Sequence, residues 1–162
     1  MRRWIAGPEA TAPWVASAVL ADGTSAVLKL GMPNMEAEHG ISGLRFWDGD
    51  PPVWLIEAHD DLGAMLLERC EPWTLLRVSP ESEQDTVISG LLRRLWRWPP
   101  EPYPFRRLSD LMAHWGRETE AEVGRWPDAG LVREGLQLFT ELLRTAKAEV
   151  LLATDLRAGN VV

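Results

Sequence analysis

The sequence predicts an α+β fold in two lobes, a β-rich one over residues 1–70 and a helical one over residues 71–162. Three observations point there. Apolar, Val-rich runs joined by tight-turn residues crowd the first part. From Ser79 onward the apolar residues recur at helical spacing. A polar, Pro-containing connection, "EPWTLLRVSPESE", lies between the two. With 46% hydrophobic residues in 162, the chain has the apolar content to fill a core.

The elements follow in order. "WVASAVLADGTSAVLKL" reads as a β-hairpin turning at Asp22-Gly23, a dipeptide suited to the positive φ of a tight turn. "MEAEHGISGLRFW" sets Ala37, Ile41, Leu44 and Trp47 at helical spacing, with Asn34 as the expected N-cap. "VWLIEA" and "AMLLERC" flank the "HDDLG" turn as a second hairpin, so the first part is β-β-α-β-β. Beyond Ser79-Pro80, Ile88, Leu91, Leu92 and Leu95 mark one face of a helix expected to end at Pro99-Pro100. Leu108, Leu111, Met112 and Trp115 mark a second helix. Val132, Leu136, Phe139 and Leu143, after Pro127-Asp128, mark a third. "EVLLA" is expected as a short strand ahead of the polar loop "TDLRAGNVV".

Composition narrows the function. The net charge of −7 disfavours a nucleic-acid binder, whose affinity comes mainly from Lys and Arg on phosphates, and suits a cationic small-molecule partner. The single cysteine, Cys70, forms no intrachain disulfide, and a reducing cytoplasm is the expected location. "MRRWIAGPEATAPW" lacks the apolar core of a signal peptide, and no stretch has the ~20 apolar residues of a membrane span. The three histidines show no paired metal spacing and there is no G-x-S-x-G elbow. The nine tryptophans read as packing residues.

Three features carry chemistry. Asp155 and Asn160 stand at the D-x-x-x-x-N spacing of phosphoryl-transfer loops, where Asp accepts a proton and Asn holds magnesium. With nine aspartates and two asparagines an accidental pair arises about one time in nine, and an everyday polar turn is the competing account. Lys29, one of only two lysines, sits inside the apolar "AVLKL" strand. It suits a phosphate-binding ammonium on a rigid element, or else a solvent-facing lysine that guards an edge strand. The following helix should supply a carboxylate to meet it. Position 40 on the inward face is Gly40, so Glu36, one turn earlier, is the expected partner, and Glu38 points to the other side. The "LLERCEP" connector sits where a two-lobed kinase grips adenine by backbone groups. Only Gly7 lies upstream of Trp14, so no glycine-rich phosphate loop is visible.

Lys29, the helix after it, "LLERCEP" and "LLATDLRAGNVV" together resemble the aminoglycoside phosphotransferase superfamily, in its streptomycin 6-kinase and hydroxyurea-resistance branch. Stretches similar to "VLKL", "EAEH", "GLRFWDGD", "WPDAGLVREGL" and "ATDLRAGNV" occur there in the same order from about Trp14 onward. The resemblance implies a protein-kinase-like fold, with an N-terminal nucleotide-binding lobe and a partial C-terminal lobe ending in the catalytic loop. It also implies transfer of a phosphoryl group from ATP, with Mg²⁺, to a hydroxyl of a cationic antibiotic. Lys29 then matches the phosphate-binding lysine, Asp155 the base and Asn160 a magnesium ligand, and Glu68, Arg69 and Cys70 fall in the adenine-binding connector. Two residues depart from the pattern: Gly40 replaces a glutamate and Arg157 a histidine. Members of the superfamily also continue past the Asn to a second metal-binding Asp and further helices. The chain therefore reads as truncated, with little turnover expected. The alternative is a non-catalytic remnant, a binding or structural module, that self-associates through exposed apolar helix faces.

Overall fold

The computed structural model describes residues 13–31, 38–71 and 75–162. Strands β1 (Trp14–Val19) and β2 (Ser25–Leu30) form the first expected hairpin, with Gly23 at φ +89 in its turn. The Asp22 carboxylate accepts from the Thr24 N–H at 2.9 Å, which fixes the same turn. Helix α1 (Gly40–Trp47) follows. Strands β3 (Leu55–His59) and β4 (Ala64–Glu68) then form the second hairpin across a 3₁₀ turn at Asp60–Leu62, closed by Gly63 at φ +57. The sheet is antiparallel in the order β1-β2-β4-β3, so β2 is an interior strand. The fold class is the α+β one expected.

Register decides which side chains share a face. Lys29 stands opposite Met65, and Val27 opposite Leu67. Met65 and Leu67 pack with Ile41 of α1 into the main hydrophobic cluster, joined at its margin by Val27, Leu44, Val53, Leu55 and Ala58. Each Val, Leu, Ile or Met side chain among them contributes about 1.5–3 kcal/mol when fully buried. Lys29 therefore extends from the sheet face that α1 covers, just past the cluster.

Helix α2 (Glu81–Leu95) has Pro80 at its N-cap position and buries Leu95, the end of the predicted apolar face. It stops before the Pro99-Pro100 pair expected to end it. Helices α3 (Leu108–Ala121) and α4 (Ala129–Thr145) match the other two expected helices. In α4 the Asp128 side chain accepts from the Leu131 N–H at 2.9 Å, a regular N-cap. The chain forms two compact units, residues 1–101 with 151–162 and residues 102–150. Among the described residues no helix is long and apolar enough to cross a membrane.

Three expectations about local structure need amendment or fall outside the described residues. Among the described residues the "EVLLA" run pairs with no strand: Leu151 donates its N–H to the Arg97 carbonyl at 2.9 Å, an isolated bond rather than a ladder. An apolar run without a neighbouring strand cannot become one, whatever its propensity. Asn34, Glu36 and Ala37 lie outside the described residues, and α1 starts at Gly40 with His39 at its N-cap and no side-chain cap. Glu38 consequently precedes the helix. The helical-wheel angle that turned it away from the site does not apply to it.

Candidate functional site

The terminal loop is pinned at both ends within the first compact unit. Leu151 N–H meets the Arg97 carbonyl, and Leu76 N–H meets the Val161 carbonyl, both at 2.9 Å. Between these anchors the chain turns through a 3₁₀ segment at Ala158–Asn160, with Asn160 N–H on the Arg157 carbonyl at 2.8 Å. That turn brings the Asn160 side chain back onto Asp155. Its amide donates to the Asp155 carbonyl and to Oδ2, each at 2.8 Å. The Arg157 Nε donates to the other oxygen, Oδ1, at 3.1 Å. The D-x-x-x-x-N spacing thus closes a hydrogen-bonded ring around an ionisable carboxylate.

Lys29, Glu68, Cys70, Asp155 and Asn160 all line one open cleft of about 1530 Å³. Small-molecule sites usually span about 300–1,000 Å³; this cleft has space for more than one ligand. Lys29 is half-buried on an interior strand, so the edge-guarding account of this lysine does not fit. Glu38 lines the cleft as well, against the expectation that it faces away. Asp60 and Asp61, legible in the sequence only as turn residues, are also in its wall. Glu36 lies outside the described residues.

The connector residues divide. The Glu68 carboxylate accepts from the Trp54 N–H at 2.7 Å, while its own N–H goes to the Trp54 carbonyl at 3.0 Å, which occupies that donor. Arg69 reaches away from the cleft, to Glu71 and to the Ser17 hydroxyl, both at 3.1 Å. Cys70 is half-buried at the cleft wall. Burial first, and then the negative Glu68, push its thiol above the ordinary range, which disfavours the nucleophilic thiolate.

Long-range ties that no local pattern announces hold the wall together. Arg45 of α1 grips Asp60 through two hydrogen bonds of 2.7 Å, and these hold the Asp60 carboxyl below the usual carboxylate range. Arg94, in the last turn of α2, and Arg97, two residues past its end, both bind Asp50 in the α1–β3 loop. Their hydrogen bonds, that of Arg94 foremost, hold Asp50 low in the same way. A carboxyl depressed on folding gives stability that is complete above its unfolded value of about 3.9 and is lost as pH falls through the folded one. Asp50→Asn is therefore expected to flatten the acid end of a Tm-against-pH curve, below about pH 4, and to change little in its shape above that. An unaltered acid limb would show that the cluster is not formed.

A family model described as aminoglycoside/hydroxyurea antibiotic resistance kinase matches residues 7–162. The chain belongs to that family. A streptomycin 6-kinase of Streptomyces glaucescens is 34% identical over 99% of this chain and 54% of its own length. A hydroxyurea phosphotransferase of Kitasatospora aureofaciens is 34% identical over the full chain and 50% of its own length. A streptomycin 6-kinase of Streptomyces griseus is 43% identical over 51% of this chain and 27% of its own. The chain thus spans about half the length, or less, of these relatives. No solved structure is a significant match.

Proposed function

We propose that the chain is the nucleotide-binding and base-bearing part of an ATP-dependent phosphotransferase acting on a hydroxyl of a streptomycin-like aminoglycoside. The observation that carries this reading is the convergence of Lys29 and the Asp155–Asn160 pair on one cleft. Family membership supports the reaction class, and the relatives named for streptomycin support the acceptor. Five carboxylates in the cleft lining, Glu38, Asp60, Asp61, Glu68 and Asp155, favour a cationic acceptor. The two-lobe, kinase-like reading divides the chain by role. Residues 1–70 hold the nucleotide, with Lys29 on its α- and β-phosphates and Glu36 as the partner of that lysine. Backbone groups around Glu68, Arg69 and Cys70 meet the adenine. Residues 71–162 carry the catalytic loop.

Asp155 orients the acceptor hydroxyl and takes its proton as the oxygen attacks the γ-phosphorus in line. Asn160 holds the carboxylate in place through Oδ2 and keeps its own Oδ1 for a metal. Magnesium takes oxygen donors from the protein together with substrate phosphates, and the Asn160 Oδ1 would be one such donor. When bound, the ion neutralises charge on the phosphoryl group in transfer. A cytoplasmic location follows from this role, since ATP is its donor.

Two measurements test the reading. ADP release with streptomycin, Mg²⁺ and ATP reports transfer, and calorimetric titration of Mg·ATP reports binding. Binding without transfer selects the non-catalytic module. Absence of both removes the reading. Lys29→Met is expected to raise the Kd of Mg·ATP by about 10- to 100-fold, the loss of one or two charge-assisted hydrogen bonds. An unchanged Kd would take Lys29 out of the site. Self-association is supported by the exposed Leu131, Leu138 and Leu142, which recur along one side of α4. Leu138→Ser with Leu142→Ser is expected to shift sedimentation toward the monomer, and a wild-type protein that sediments as a monomer would exclude the association.

A further inference from the structure

Building on the phosphotransferase reading, we infer that Arg157 is a second phosphate-binding group of the cleft, offering its terminal guanidinium nitrogens to the γ-phosphoryl group of a nucleoside triphosphate. Among the described residues lining the cleft, Lys29 and Arg157 are the two cations, set against five carboxylates. A polyanion entering so acidic a site depends on both. One stands on the sheet and the other on the terminal loop.

The geometry of Arg157 suits the task. Its Nε is committed to Asp155 Oδ1 at 3.1 Å. The rest of the planar fork makes no hydrogen bond with another described residue, and an arginine fork matches phosphate oxygens in pairs. Because the guanidinium is rigid, an anion held on its terminal nitrogens lies next to the Asp155 carboxylate. That is where the γ-phosphoryl must sit if the acceptor hydroxyl rests on the same carboxylate. The Arg157–Asp155 contact is itself weakly stabilising: the side chains are 69% and 73% exposed, and exposed pairs contribute about 0–1 kcal/mol. Stability alone is therefore a poor account of an arginine at this point, whereas a preorganised cation beside developing phosphoryl charge has a direct use.

The test compares two probes that differ by one phosphate. Mg·ATP and Mg·ADP are titrated by calorimetry into the folded wild-type chain, Arg157→Ala, Arg157→Gln, Arg157→Lys and Lys29→Met, at one ionic strength. Arg157→Ala and Arg157→Gln are expected to weaken ATP about tenfold and to leave ADP within about twofold, so the preference for ATP falls about tenfold. Arg157→Lys is expected to keep part of the preference, since it retains the charge and loses the fork. Lys29→Met is expected to weaken both nucleotides. If the wild type binds both and the Arg157 variants leave the ATP-to-ADP ratio unchanged, or weaken both equally, the γ-phosphoryl role is overturned and the phosphotransferase reading stands. If the wild type binds neither nucleotide, both fall together. Should the Ala and Gln variants fail to fold, as circular dichroism would show, the ratio in Arg157→Lys decides: a wild-type value overturns the role of the fork.

Discussion

Asp155→Asn is expected to lower phosphoryl transfer from ATP to streptomycin by about 10²–10⁴-fold, the range over which positioned general bases act. The substitution is nearly isosteric. An asparagine at this position keeps a carbonyl oxygen for the Asn160 amide, which in the native loop reaches Oδ2 at 2.8 Å. It loses the capacity to accept a proton. The affinity for Mg·ATP should move by less than about threefold, because Lys29 and the connector, not Asp155, hold most of the nucleotide on the proposed reading. Single-turnover transfer from radiolabelled ATP resolves slow rates and suits a chain that spans about half of its relatives' length. Transfer at the native rate in the variant would remove Asp155 as the base. A parallel loss in Mg·ATP affinity would instead assign it to the metal.

What was legible in the sequence follows the range of the interactions that determine it. The two hairpins were readable because their causes are local: Asp22-Gly23 and the Gly63 turn carry their own φ preferences. Helix α4 was readable for the same reason, its cap and apolar face lying within one run of sequence. The D-x-x-x-x-N spacing singled out Asp155 and Asn160, but their contact depends on the 3₁₀ turn at Ala158–Asn160, which the spacing does not dictate. Other features depend on residues far apart. Whether Lys29 lay on an edge or an interior strand turned on β4 pairing beside β2, a choice made some 36 residues later at Met65. Helix α1 starts at Gly40, so Glu38 stands outside it and lines the cleft. The bidentate Arg45–Asp60 grip joins partners 15 residues apart in sequence, and neither type nor spacing marks them out. "EVLLA" shows the converse: strand-like composition, with no ladder to join among the described residues.

Trp47→Ala is expected to destabilise the first compact unit by about 3–5 kcal/mol, the usual cost of deleting a large aromatic from a core. Trp47 is the last residue of α1 and is 9% exposed. Its ring packs close against its own helix, where a Cβ added at Gly43 would come within 3.2 Å of it. Its indole N–H donates to the Leu95 carbonyl at the end of α2, at 3.0 Å, across 48 residues of sequence. Both residues border the cleft, so the tie sets how the α1 wall meets α2. Trp47→Phe separates the contributions in part: it keeps an aromatic ring in the core while removing the donor and the outer atoms of the indole. The Leu95 carbonyl retains a bond from the Arg97 N–H at 2.8 Å and is not orphaned, so the lost hydrogen bond should account for only about 0.5–1.5 kcal/mol, with the lost ring atoms adding to it and the total staying below that of Trp47→Ala. Denaturant unfolding of both variants, with m-values compared, provides the measurement. A Trp47→Ala variant as stable as the native chain would mean that the helix is not anchored through this ring, and the α1 wall of the cleft would need another support.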